Sequence, residues 1–473
     1  MDSLRIGMKR YVALDFLRGC AIIGVLAFHL LNASYDADAA LEAALDGPNI
    51  AFLILAILLV FLGTFFPLFI ALSGLVNIIS IDKQWSKIVG EDEEGRKNEA
   101  FKKILKGQII RGLFICFMGY FSEVLLNGML LKLLVGESNI VIESLDAFFF
   151  TQILVMIGLG VIIISTIYLL LKKKGKTDQE IKKIFGILTI AVIIMTPIMI
   201  EILNLLPDFW DRPASGFETR PLGLNILYVI LAPLVIDFNP LFPNLTAMFL
   251  GTIIGLEISN GQSTKQFFNK IVLSTIPMMV LGVVFTFLDL GYGLGEFFTS
   301  TGGSILLLMI ILYMIDMRGK GTKFAKYSKF FRRFGTMTLT LWCLQWLVVL
   351  PLRLMQVIVN AVTGTSVDFI TGPFYNNGLT GWELLGTIAI VIGIYHLILW
   401  LWEKVGYGGS FEWMTVKLMS KQRANAAARL KRGLKDVESI VEEPQEFWGV
   451  GTMIGLILIW LLYAVIGTLI SIL

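Results

Sequence analysis

Apolar runs long enough to cross a bilayer recur along almost the whole chain. They limit it to folds in which each buried segment satisfies its own backbone hydrogen bonds. The runs cover residues 11–32, 50–81, 109–126, 147–171, 184–206, 241–258, 271–290, 300–317, 334–360, 381–403 and 447–471. Of 473 residues, 56% are hydrophobic and only 16% charged, and the mean hydropathy is +0.78. A soluble domain of that size would carry far more charge on its surface. The expected fold is therefore an all-α polytopic membrane protein with about 11 transmembrane helices.

The connections orient the chain. Those at 82–108, 172–183, 318–333 and 404–435 are rich in Lys and Arg, whereas 33–49, 291–299 and 361–380 contain neither. Base-rich connections stay on the cytoplasmic side. The N-terminus is then cytoplasmic and the C-terminus extracytoplasmic, in an integral protein expected at the plasma membrane. This alternation holds only if residues 222–243, short and broken by Asn239-Pro-Leu-Phe-Pro243, form a re-entrant or broken element rather than a full crossing. Pro67 is expected to kink or divide the long run at 50–81. The chain then has three parts: a transmembrane domain over 1–410, a cytoplasmic charged helical segment over 411–446, and a C-terminal transmembrane helix over 447–473. The first run is not expected to be a cleavable signal, because Asp15 and Arg18 interrupt it.

That first run, YVALDFLRGCAIIGVLAFHLLN, holds Asp15, Arg18 and His29. Ionisable groups inside a span are costly unless they face a cavity or one another, and so mark function. Eleven residues separate Arg18 from His29, about three helical turns, which puts both on one stripe about 16 Å apart. Asp15 is placed one turn before Arg18, as its expected ion-pair partner. His29 is the most capable general base in the chain, because an imidazole titrates near neutral pH. Base activation of a hydroxyl or amine fits it best, with a covalent acyl-His left open. Asp36 and Asp237 are the candidates to orient its ring.

Other residues add detail. The second histidine, His396, is expected to pack or hydrogen-bond. Lys106, Arg111, Arg332 and Arg333 lie near the cytoplasmic connections, where they suit phosphates as well as anionic lipids. Asn32, Trp342, Gln345 and Trp346 are candidates to meet an acceptor such as a sugar. Most remaining ionisable groups in or near spans, including Asp316, Glu257 and Glu403, are expected at solvated ends. The three cysteines, Cys20, Cys116 and Cys343, lie in apolar runs without metal-ligand spacing, and no metal is expected.

With these residues in view, LDFLRGCAIIGVLAFH resembles the opening helix of the transmembrane acyltransferases. The Arg18-x10-His29 spacing is similar to that of acyltransferase family 3. Asp15-x-x-Arg18-Gly19 through His29 is similar to relatives of heparan-α-glucosaminide N-acetyltransferase. Downstream, Phe66-Pro-Leu-Phe-Ile-Ala-Leu-Ser-Gly74 resembles that superfamily's F-x-F-x-x-S-G pattern. Gln152-Ile-Leu-Val-Met-Ile-Gly158 and Asn239-Pro-Leu-Phe-Pro243 through Gly255 resemble two further segments. Phe334-Gly-Thr-Met-Thr-Leu-Thr340 through Gln345 resembles a G-x-x-S-L-T-x-Y-x-x-H/Q helix. Trp402 through Gly408-Gly-Ser-Phe-Glu412-Trp413 resembles the W…G-P-x-E-W ending of a related bacterial family.

The resemblance implies a membrane acyltransferase that moves an acyl group, expected to be acetyl, from cytoplasmic acyl-CoA to a sugar, glycolipid or other hydroxyl or amine acceptor at the far face. It implies His29 as base or acyl carrier and Arg18 as a donor-holding residue. Two departures stand out: residues 33–50 contain no second histidine, and the run at 447–471 extends beyond the bacterial pattern. The partners expected are the lipid bilayer, acyl-CoA and the acceptor, not nucleic acid, with a homodimer left open. The competing reading is a transporter or exporter of a lipid or glycan, which would also use ionisable residues at mid-membrane. The absence of internal repeats weighs against it.

Overall fold

The computed structural model describes residues 8–34, 50, 54, 65–90, 96–131, 152–205, 231, 234–235, 239–259, 265–288, 294–364, 382–419, 437–439 and 447–472. Ten helices among them are long and apolar enough to cross a membrane. A further apolar helix runs over Val450–Ile472. The chain is thus an all-α integral membrane protein. The described residues also include a parallel pair of three-residue strands, β1 (Met8–Arg10) and β2 (Val437–Ser439). Residues 437–439 are therefore extended, not helical as expected for 411–446, because their backbone groups pair with β1.

In chain order the helices are α1 (Val12–Ser34), α2 (Phe65–Val89), α3 (Lys97–Tyr120), α4 (Ile153–Lys173), α5 (Asp178–Asn204), α6 (Leu241–Ser259), α7 (Lys265–Phe287) and α8 (Leu294–Leu312). Next come α9 (Gly321–Tyr327), α10 (Lys329–Thr336), α11 (Thr338–Cys343), α12 (Val349–Thr363), α13 (Trp382–Lys404), α14 (Phe411–Met419) and α15 (Val450–Ile472). Helices α3 and α8 continue as π-helical turns over Phe121–Leu131 and Tyr313–Met317. The charged stretch 82–108 is mostly helical, because α2 and α3 run into it from either side. Pro67 lies in the first turn of α2, where its missing N–H disturbs nothing. Of the segment 222–243, Leu231, Leu234 and Val235 pack beside Ile200, Leu203, Met278, Leu294 and Phe298. Helix α6 begins at Leu241, directly after Pro240. Residues 222–230, 232–233 and 236–238, Asp237 included, lie outside the described residues.

The chain divides into two compact units, one of residues 1–66 with 310–473 and one of residues 67–309. In the second, α3 packs along α4 and α5 along α6. Its motif glycines are close-approach points: a Cβ on Gly74 would lie 2.3 Å from the Met248 carbonyl oxygen, and one on Gly251 would lie 2.0 Å from that of Ala71. Membrane helices use such small residues to bring backbones together.

In the first unit α1 is central, packed against α10, α11 and α13. Its start is held from far along the chain by Asp316, whose carboxylate accepts from the N–H groups of Val12 (3.0 Å) and Ala13 (2.9 Å). These are helix-start donors that need a partner. Asp316 is wholly buried, so it is not the solvated end group expected from sequence. At mid-helix α1 touches α10 backbone to backbone. A Cβ on Gly19 would fall 1.9 Å from the Phe331 carbonyl oxygen, and one on Gly335 would fall 2.3 Å from that of Asp15.

The run 334–360 is where the observed fold departs most from the expected one. It is not one helix but α10, α11, a 3-10 turn over Gln345–Val348, and α12. The interruption has a specific cause. Glu412 accepts from the N–H of Leu339 (2.5 Å) and of Thr340 (3.1 Å), donors a continuous helix would direct to its own preceding turn.

Candidate active site

His29 lies in the last third of α1. Its ring meets the Trp346 ring edge-on, with centroids 4.2 Å apart, and the side chain of Gln345 lies within hydrogen-bonding reach of it. Both partners come from the 3-10 turn after α11. Nδ1 of His29 is buried and has no hydrogen-bond partner among the described residues. Nδ1 of His396 is in the same state, so what sets His29 apart is its place on the Arg18 helix beside Gln345 and Trp346, where an open imidazole nitrogen is suited to receiving a proton. Among the described residues Gln345 is the side chain that hydrogen-bonds the ring. Asp36 and Asp237 lie outside the described residues, as does the side chain of Asn32.

Arg18 is half-buried on the same helix and makes no hydrogen bond or ion pair among the described residues. The expected Asp15–Arg18 pair is therefore not formed. Asp15 lies instead within electrostatic range of Asp316. Trp342 is buried in α11, one turn before Gln345.

The remaining basic candidates are mostly engaged by protein groups. Arg332 is buried, and its Nη1 donates to the Ala325 carbonyl at 3.0 Å. Arg333 donates through Nε to Glu403 at 2.7 Å, and its Nη1 lies 3.1 Å from Nε2 of His396. His396 is thus a hydrogen-bonding residue, and Glu403 is buried rather than solvated. In the other unit Arg111 reaches Asn77 Oδ1 at 3.3 Å, and Asn77 donates to Ser165 at 3.1 Å. Lys106 is exposed.

Glu412 is the residue whose importance sequence reading missed. Besides two backbone N–H groups it accepts the hydroxyl proton of Thr340, whose oxygen in turn accepts from Phe411 N at 2.9 Å. Burial pushes its carboxyl above the ordinary range, against the opposing pull of those hydrogen bonds. The segment that delivers it is held at several points. Trp402 Nε1 donates to the Gly408 carbonyl at 2.9 Å, and buried Tyr407 adopts a left-handed φ of 56°. Ser410 Oγ then accepts from Trp413 N at 3.1 Å, starting α14. The two C-terminal sequence motifs, around Thr340 and Glu412, therefore bond to each other.

The sequence was compared with known families, curated proteins and solved structures. No curated protein and no solved structure matches it. The family model described as heparan-alpha-glucosaminide N-acetyltransferase, catalytic, matches residues 10–284, more than half of the chain and the part that holds Arg18 and His29. By that match the chain belongs to the heparan-alpha-glucosaminide N-acetyltransferase catalytic family.

Proposed function

We propose that this protein is a membrane acyltransferase. It takes an acyl group, acetyl first among the candidates, from acyl-CoA on the cytoplasmic side and passes it to a hydroxyl or amine, such as a sugar's, at the opposite face. The observation that carries this reading is the buried, open Nδ1 of His29, held between Gln345 and Trp346 in a chain of an acetyltransferase family. As the acceptor oxygen or nitrogen attacks the thioester carbonyl, the imidazole takes its proton. The carbon–sulfur bond breaks, and the CoA thiolate leaves to receive a proton in turn.

Arg18, uncommitted and about 16 Å from His29 along α1, holds the donor. A pantetheine arm is long enough to bridge that interval while its phosphates remain at the cytoplasmic end. Within the unit that holds Arg18, Arg332 and Arg333 are already engaged by protein groups, which leaves Arg18 as the donor-holding cation there. The N-terminus is cytoplasmic and the C-terminus extracytoplasmic in this reading.

The test is acetyl transfer from labelled acetyl-CoA in reconstituted vesicles, with His29→Ala beside the unaltered protein. Loss of a general base lowers the rate by about 10²–10⁴-fold, at unchanged protein abundance. A His29→Ala protein with full activity would overturn the assignment. Purified protein carrying neither CoA nor acyl-CoA by mass spectrometry, and showing no transfer, would overturn the function.

A further inference from the structure

We propose that Glu412 is a positioning residue for the His29 site: it sets the helix break that carries Gln345 and Trp346 to the imidazole. The inference rests on the reading of His29 as the base, but its geometry is separate from it. In an unbroken helix Leu339 N would donate to Gly335 O and Thr340 N to Thr336 O. Here Gly335 O accepts instead from Thr338 Oγ1, at 2.6 Å, and the Glu412 carboxylate takes both N–H groups together with the Thr340 hydroxyl. The carboxylate thus substitutes for the ladder at one turn, and α11 leaves the course of α10.

After α11 the chain enters the 3-10 turn Gln345–Val348, and the first two residues of that turn are the ones at the His29 ring. Upstream, α10 is fixed to α1 by the backbone contact of Gly19 and Gly335. One end of the broken run is therefore locked to the helix that carries His29. Glu412 sets the angle at which the other end returns to that same helix. Its own position is over-determined by Ser410, Trp402 and Tyr407. Both Thr340 and Glu412 lie outside the matched residues 10–284, so this device is carried by the remainder of the chain.

The chain has only two histidines, so ring-¹⁵N-histidine labelling yields two sets of signals, assigned with His396→Gln. In Glu412→Ala the His29 signals should move, although among the described residues the Glu412 side chain bonds to the α11 backbone and Thr340 and not to His29. A displacement of about 1 Å at a reacting group lowers turnover by up to about 100-fold. The expected result is thus a kcat down about 10–100-fold, with KM for acetyl-CoA within about twofold, as for loss of transition-state geometry rather than donor binding. Thr340→Ser should restore what Thr340→Val loses. If Glu412→Ala does not fold, the Thr340 pair decides by the same readouts. Unchanged His29 signals and unchanged kcat in the folded variants would overturn the proposal. Shifted His29 signals in a protein that transfers no acyl group would instead uphold the positioning and remove the base assignment.

Discussion

The surroundings of Asp82 and of His29 make a useful contrast. Asp82, near the C-terminal end of α2, accepts from the Tyr168 hydroxyl at 2.6 Å and the Ser259 hydroxyl at 3.0 Å, with the Lys172 ammonium 3.6 Å away. Lys172 also pairs with Asp178 at 2.6 Å, and nearby Lys182 bonds to Glu257. Both carboxylate oxygens of Asp82 thus have a donor. Around His29 the opposite holds among the described residues: a buried ring nitrogen is left open, and Arg18 on the same helix stays uncommitted. A satisfied buried network rigidifies, whereas a partly open one is costly and persists where chemistry uses it. The first arrangement is a fastener, and the second is the one proposed as a site.

The largest effect that probes this contrast lies beneath the site. Gly19→Val puts side-chain atoms where a Cβ already lies 1.9 Å from the Phe331 carbonyl, and backbone cannot yield as a flexible side chain would. Overpacking of that kind costs about 3 kcal/mol or more. The variant should lose most of its folded yield in detergent, and a normal thermal midpoint would show that α1 and α10 need not touch. Asp82→Ala comes next. It strands the Tyr168 hydroxyl, leaves Ser259 with the Leu256 carbonyl alone and Lys172 with Asp178, a loss of about 3 kcal/mol. Acetyl transfer per folded molecule should stay within about twofold. If transfer collapses while the thermal midpoint holds, the Asp82 cluster is a site after all and the contrast fails.

Glu412 lies between the two cases, since it is fully bonded yet adjoins the site. Its carboxyl is raised by burial, so the folded state holds its proton at pH values where the unfolded chain has released it. Its contribution to stability is complete below the ordinary carboxylate range, about 4.3, and declines as pH rises through the raised value. Glu412→Gln removes that titration and should flatten the fall of the thermal midpoint as pH rises above about 4.3. An identical slope in both proteins would place the ionised carboxylate comfortably in the fold.

How much of the molecule is legible in its sequence depends on the range of each interaction. Apolar run length is local, and the expected spans at 241–258, 271–290 and 381–403 coincide closely with α6, α7 and α13. The Arg18–His29 spacing is local too, so their common stripe can be read directly. The break in 334–360 is hidden because the carboxylate that causes it is 72 residues away from Thr340. Asp316, 304 residues from the Val12 N–H it holds, is hidden for the same reason and passes for an end group. Arg332 and Arg333 look like phosphate ligands because charge is visible in sequence, while the carbonyl and carboxylate that absorb it are not. The motif glycines are visible as a pattern, but only the facing carbonyls explain them.

The smallest effect is also a sharp one. Ser259 donates one proton, and that proton is shared between Asp82 at 3.0 Å and the Leu256 carbonyl at 3.2 Å. Neither bond is complete, and Asp82 keeps the shorter bond from Tyr168. Ser259→Ala should therefore cost no more than about 1 kcal/mol, well below the loss in Asp82→Ala, with acetyl transfer unaffected. A fastener supplied with surplus donors tolerates the loss of its weakest one. Should Ser259→Ala instead destabilise the protein as much as Asp82→Ala, the Tyr168 hydroxyl and Lys172 would not suffice for the carboxylate. The Asp82 cluster would then be finely balanced, like the surroundings of His29, and the division between satisfied and open regions would have to be redrawn.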